Sequence, residues 1–160
     1  MTEPTRRRVL SAISVAGAIG LAGCSGGSDG ESGDDGSTAD SGSGDTTTAT
    51  YEYTFAEDDA VVGGSLTGLS ITYPSGSAAL ADASLTEVLL DGGDVSRDID
   101  DTSTANNGDT YTIDFAGNEG ISAGDTLSIG LNRIAAPSGS YDVTITVNPQ
   151  SGATTFTQSF

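Results

Sequence analysis

Tyr141-Asp142-Val143-Thr144-Ile145-Thr146-Val147 alternates apolar and polar residues without a break. A period of two puts Tyr141, Val143, Ile145 and Val147 on one face of an extended chain, with Asp142, Thr144 and Thr146 on the other. Its β-branched residues favour that extended conformation. The stretch predicts a half-buried strand, and the same pattern recurs upstream. Tyr51, Tyr53 and Phe55 alternate with Glu52 and Thr54; Leu69, Ile71 and Tyr73 alternate with Ser70 and Thr72 until Pro74. Tyr111, Ile113 and Phe115 form a further run, and Leu127, Ile129 and Leu131 another. Phe156 and Phe160 extend the pattern to the last residues, and Leu85 to Leu90 reads as a strand because the turn Asp91-Gly92-Gly93 follows at once.

Turn signals separate these runs at Val61-Val62-Gly63-Gly64, Asn106-Asn107-Gly108-Asp109, Ala123-Gly124-Asp125 and Pro137-Ser138-Gly139-Ser140. No segment carries an apolar stripe at helical spacing, although the Ala- and Ser-rich residues 77–83 are compatible with one short helical turn. The expected fold is all-β. About seven strands over residues 51–160, each apolar on one face, fit a single antiparallel β-sandwich. A chain of that length buries enough surface to fold without disulfides, and with one cysteine it has none within itself.

Pro137-Ser138-Gly139-Ser140-Tyr141 running into the alternating strand resembles the closing hairpin of immunoglobulin-like modules on prokaryotic surface proteins. The resemblance covers residues 51–160 in outline and implies an immunoglobulin-like sandwich. The paired cysteines and core Trp of immunoglobulin domains are missing, and Tyr141 reads as a core aromatic at a strand start.

The other end of the chain is built differently. Thr5-Arg6-Arg7-Arg8-Val9-Leu10 opens a mildly apolar segment reaching Leu21, too short to span a bilayer permanently, and Leu21-Ala22-Gly23-Cys24 closes it. The order around Arg6 and Arg7 resembles the twin-arginine export motif, and residues 21–24 resemble the lipobox of secreted lipoproteins. The resemblance implies a signal peptide over residues 1–23 and a lipid on the thiol of Cys24, which would become the first residue of the mature chain. The plain alternative for Cys24 is a small apolar residue in a buried helix. Residues 24–50 read as a disordered acidic linker of Gly, Ser, Asp and Thr whose only apolar members after Cys24 are alanines. Such a tether has a reach of roughly 25–30 Å. Thr46-Thr47-Thr48 is compatible with an O-glycosylated stalk, and no Asn-X-Ser/Thr sequon occurs.

Charge narrows the partners. The chain holds 23 Asp plus Glu against 5 Lys plus Arg, and every basic residue is Arg. This balance resembles the haloarchaeal proteome and disfavours nucleic acid or anionic lipid as partners, since each needs a basic patch. The expected partners are the membrane through the lipid on Cys24 and surface-layer or other envelope proteins. Arg97 and Arg133 are expected in surface ion pairs of little energetic weight.

The absent residue types exclude chemistry. Without His there is no Ser-His-Asp triad and no imidazole for zinc or blue copper, which removes the halocyanin-like reading that the outline invites. Without Lys there is no Schiff-base amine. Asp40-Ser41-Gly42 matches the aspartic-protease triplet once, within the linker, where two copies are needed. The expectation is a protein without catalytic residues or a required cofactor. Asp91, Asp94, Asp98, Asp100 and Asp101 form the one acidic stretch dense enough to hold calcium, but not at EF-hand spacing. Two readings stand for it: a solvated acidic loop or a calcium site. The function expected is a surface interaction module, with a calcium- or glycan-binding accessory protein as the alternative.

Removing residues 1–23 leaves 22 acids against two arginines. At molar salt the Debye length falls to about 3 Å and screens that repulsion. Thermal melts of the mature chain are therefore expected to give a clearly higher Tm in molar potassium chloride than in dilute buffer; an unchanged Tm contradicts the charge argument.

Overall fold

A computed structural model describes residues 46–160, where the alternating runs become strands of two antiparallel sheets. In chain order these are β1 (Thr47–Thr54), β2 (Gly68–Thr72), β3 (Ser84–Leu90), β4 (Gly93–Asp94), β5 (Ile99–Ala105), β6 (Thr110–Phe115), β7 (Thr126–Ile134), β8 (Asp142–Val147) and β9 (Thr154–Ser159). One sheet has the order β1-β7-β3-β4, the other β5-β6-β2-β8-β9. This is the all-β antiparallel sandwich that the alternation predicts.

The register explains why the sheets must meet. Ile71 lies opposite Tyr111 on one side and Ile145 on the other, and Leu69 lies opposite Ile113 and Val147. These side chains share one face and have essentially no exposure. In the smaller sheet Ile129 lies between Tyr51 and Val88, again fully buried. Side chains of both sheets form one core cluster. Each fully buried Leu, Ile or Val contributes about 1.5–3 kcal/mol. The outward face of β2, β6, β8 and β9 is largely hydroxylic, with Ser70, Thr72, Thr112, Thr144, Thr146, Thr155 and Thr157.

Nine strands stand where seven were expected, and the two extra ones lack the alternating signal. β4 has two residues. β5 reads Ile-Asp-Asp-Thr-Ser-Thr-Ala and is exposed along nearly its whole length, because it is an outermost strand that the opposite sheet does not cover. A register shift between Ile99 and Asp101 breaks its pairing, and its charges discourage association along that open edge. The boundary expected at residue 51 also moves: β1 starts at Thr47, opposite Ile134, so the last residues assigned to the linker belong to a strand. Residues 77–83 form successive turns, Ala81 N–H to Ala78 and Ala83 N–H to Leu80, rather than a helical turn.

Two polar side chains tie the loops down. Asp109 accepts from the N–H groups of Gly76 (2.6 Å) and Ala78 (2.7 Å) and from the Ser77 hydroxyl (3.2 Å). These bonds hold its carboxyl below the ordinary value and offset the left-handed backbone of Ala78, φ 51°. Asn148, itself at φ 51°, accepts from Thr67 N–H (2.7 Å), the Thr67 hydroxyl (3.0 Å) and Gly68 N–H (3.2 Å), and donates to the Ser65 carbonyl (2.8 Å). It carries the pairing of β2 and β8 past the strand ends.

Gly108 sits where loop 73–83 closes on the turn before β6. Its φ is +88° and a Cβ there would lie 2.7 Å from Ala81 backbone. Gly63 has a similar φ, +84°, with nothing within 4 Å of its Cβ position. Gly63→Ala is expected to cost about 1 kcal/mol from backbone strain alone. Gly108→Ala should cost at least twice that in chemical denaturation, since backbone must also move; equal costs contradict the close approach.

Candidate functional site

The first and last strands both carry aromatic residues on one face: Tyr51, Tyr53 and Phe55 on and just beyond β1, Phe156 on β9 and Phe160 just beyond it. β1 and β9 are outermost strands of opposite sheets. Their inward rings meet across the open side of the sandwich. Tyr53 stacks on Phe156, centroids 4.4 Å apart and planes at 11°, and meets Phe55 edge-on at 5.3 Å. Toward the other end Phe160 stacks on Tyr141 (5.5 Å, 17°) and meets the edge of Tyr51 (6.1 Å, 79°), while Tyr141 lies against Tyr73 (5.6 Å). Seven of the nine aromatic residues belong to this seam. Because its strands are outermost, Tyr53, Phe156 and Tyr141 are half-buried, and Phe160 is 41% exposed.

Backbone bonds lock the Phe160 end. Tyr141 N–H donates to the Phe160 carbonyl (3.1 Å) and Phe160 N–H to the Tyr141 carbonyl (2.9 Å). Inside the seam the hydroxyls of Tyr51 and Tyr73 share a buried hydrogen bond of 2.8 Å. Burial, as the first cause, raises both phenols, Tyr73 to about 12. Tyr53 is also raised to about 12, by burial and then by its hydroxyl donating to both oxygens of Asp59, 3.0 and 2.8 Å. Tyr141 is thus half-buried in a stack rather than wholly within the core.

Several carboxylates staple turns. Asp59 accepts from Ala56 N–H (2.7 Å), Asp125 from Ser122 N–H (2.7 Å) and Asp94 from Ser96 N–H (2.8 Å). The Ser96 bonds, chiefly the backbone one, hold Asp94 below its usual range. Arg133 sits in a β7 irregularity at φ 54°, and its Nε–H donates to the Asp82 carbonyl (2.9 Å), not to a carboxylate.

The five acidic residues considered for calcium are strung out rather than gathered. Asp91 occupies the turn after β3 at φ 49°, and Asp94 is engaged with Ser96. Asp98 accepts from the Asn118 amide (3.1 Å). Asp100 lies at the β5 irregularity, and Asp101 faces Asp114 across the β5–β6 ladder, a like-charge pair that salt would relieve. Among the described residues no group of three or more acidic side chains is placed to hold a metal ion. Cys24, Arg6 and Arg7 lie outside the described residues. The seam itself is missing from the sequence reading. The signal for it was the period-two run Tyr51, Tyr53 and Phe55 at one end of the domain and the pair Phe156 and Phe160 at the other, which mark strands without marking them as neighbours.

A phenol whose folded pKa is raised stabilises the fold fully below the ordinary value of 10 and ceases to do so as pH climbs through the raised value. Tyrosinate absorbance from Tyr53 and Tyr73 is expected to appear only toward pH 12, and that from Tyr51 no earlier, together with loss of the β-sheet circular dichroism. Ionisation of these three phenols near pH 10 with the fold intact would contradict the seam.

No known protein family matches the sequence, and neither does any curated protein. Among solved structures the chain is similar to domains D2 and D3 of the major pilin SpaD from Corynebacterium diphtheriae, at 13% identity and a TM-score of 0.39. The match covers 71% of this chain and 43% of the pilin fragment, so the chain corresponds to less than half of that fragment.

Proposed function

We propose that this protein is a lipid-anchored surface module without catalytic activity, held at the outer face of the cytoplasmic membrane through Cys24. The observation that carries the reading is Leu21-Ala22-Gly23-Cys24 at the end of a charged and then apolar leader, holding the one thiol in the chain. Residues 24–46 supply a hydrophilic tether with almost no apolar side chain to bury, and the sandwich supplies a rigid body to present. The non-catalytic part of the reading is supported by the absence of His and Lys from the sequence and by the engagement of Asp59, Asp94, Asp109 and Asp125 in turn hydrogen bonds. Its partners are envelope components reached at high salt, with surface-layer proteins and glycans the foremost classes.

The test is Cys24→Ser, followed by fractionation and mass spectrometry of the product. The variant is expected in the medium, or retained as the uncleaved precursor, while the native protein sits in the membrane fraction with a lipid on its sulfur. An unmodified sulfur in the native protein, or an unchanged membrane fraction for the variant, overturns the anchor.

A further inference from the structure

We propose that β9 is a self-association edge, at which two copies of this chain pair antiparallel about a two-fold axis and join their five-stranded sheets into one. The inference goes beyond the surface-module reading and does not need the lipid anchor.

Outermost strands offer unpaired backbone N–H and C=O groups, and proteins protect them with charge, bulges or brevity. Among the described residues the outermost strands are β1, β4, β5 and β9. β1 carries Glu52 and a register shift between Thr47 and Ala49. β4 has two residues and ends on Asp94. β5 carries Asp100 and Asp101 and a register shift of its own. β9 reads Thr-Thr-Phe-Thr-Gln-Ser, with no charge, no proline and an unbroken register along β8. It is the one undefended edge among residues 46–160, which hold 16 carboxylates and two arginines.

The ladder fixes which groups are open. Tyr141 and Phe160 exchange both backbone bonds (3.1 and 2.9 Å), so bonded pairs recur at every second position along β8 and β9. Phe156 and Gln158 therefore bond to Ile145 and Val143. The N–H and C=O groups of Thr155, Thr157 and Ser159 point away from β8, where the described residues offer them no strand.

One antiparallel register uses all of them: Thr157 opposite the second copy's Thr157, with Thr155 opposite Ser159 and Ser159 opposite Thr155. Each such pair exchanges two bonds. No charged side chain meets another along this ladder, and Asp142, one strand back, is engaged by the Ser159 hydroxyl (2.6 Å). On the inward side Phe156 falls beside Gln158 of the second copy, and Phe160, 41% exposed, falls beside Thr154. The other outermost strands would each bring a carboxylate to the ladder, so the edge is best matched by its own copy. Copies paired through β9 leave only defended edges, and assembly stops at two.

The experiment is analytical ultracentrifugation, in molar potassium chloride, of the mature chain carrying Cys24→Ser, which removes the lipid and the one thiol. A monomer–dimer equilibrium is expected across a concentration series. Thr157→Pro deletes an N–H that β8 does not use, and should raise the dissociation constant about tenfold or more with circular dichroism unchanged. Thr157→Asp, which sets two carboxylates opposite each other, should act in the same direction. Oxidation reads the register. In the same background Thr157→Cys brings the Cα atoms of the two new thiols to about 5.5 Å, within disulfide reach, whereas Thr155→Cys leaves them roughly 14 Å apart. A disulfide-linked dimer is expected from the first and none from the second. A monomer at every concentration, a dimer indifferent to both Thr157→Pro and Thr157→Asp, an assembly larger than two, or equal cross-linking of the two cysteine variants overturns the proposal. So does capture of another protein's strand at β9 by a chain that stays monomeric by itself. None of these outcomes alters the fractionation of Cys24→Ser, so the dimer and the anchor stand or fall separately.

Discussion

Burial of one face of each sheet against the other has to hold this domain together against its own charge. Residues 46–160 carry 16 carboxylates and two arginines, and the chain's single thiol lies outside them. No disulfide can therefore restrain the unfolded domain. What remains is the cluster built from Leu69, Ile71, Ile113, Val143, Ile145 and Val147 on one side and Tyr51, Val88, Leu127, Ile129, Leu131 and Ile134 on the other. Most of these are short or branched side chains with stiff rotamers, so ordering them costs little entropy per unit of area buried. Seven of the nine rings meet along the side where β1 and β9 leave the sandwich open, while Tyr111 and Phe115 stand on β6.

The core explains why the polar groups can be so local. Asp109 and Asn148 each gather several donors from one loop, and each stands beside or within left-handed backbone that those bonds stabilise. A carboxylate committed to two backbone N–H groups is a poor general base, because its proton affinity has been lowered by the same contacts that position it. The acidic character of the chain and its turn chemistry are thus partly one property. Some acids hold loops, others are solvated, and Asp101 opposite Asp114 shows that the register tolerates a repulsive pair where screening is available.

Much of the fold was legible because period two leaves little choice. Five runs of alternation became β1, β2, β6, β7 and β8, since shifting any of them by one residue would turn an apolar face to water, while the turn at Asp91-Gly92-Gly93 marked β3 and Phe156 with Phe160 marked β9. β5 escaped notice for the opposite reason: an outermost strand with neither face covered has no need to alternate, and Ile99 to Ala105 does not. The start of β1 was misplaced because Thr47 and Thr48 look alike in a linker and in an exposed strand. Long-range contacts were hidden altogether. Asp109 is one of many acids in the sequence, and only the fold brings Gly76 and Ala78 over it. Asn148 is equally anonymous until Thr67, some eighty positions away, is placed beside it.

The aromatic seam follows from the same geometry. An edge strand of a sandwich has inward side chains that the opposite sheet covers only in part, so large rings there close the side without being fully removed from water. β1 and β9 solve this together, with Tyr53 on Phe156 and Tyr51 against Phe160. Smaller side chains would leave the core wet along that flank, and further aliphatic ones would leave a greasy edge that invites association with other sheets. Rings satisfy both demands, since their faces pack while their edges and hydroxyls tolerate solvent. The closure nevertheless leaves the Phe160 ring 41% exposed, the one large hydrophobic side chain so placed among the described residues.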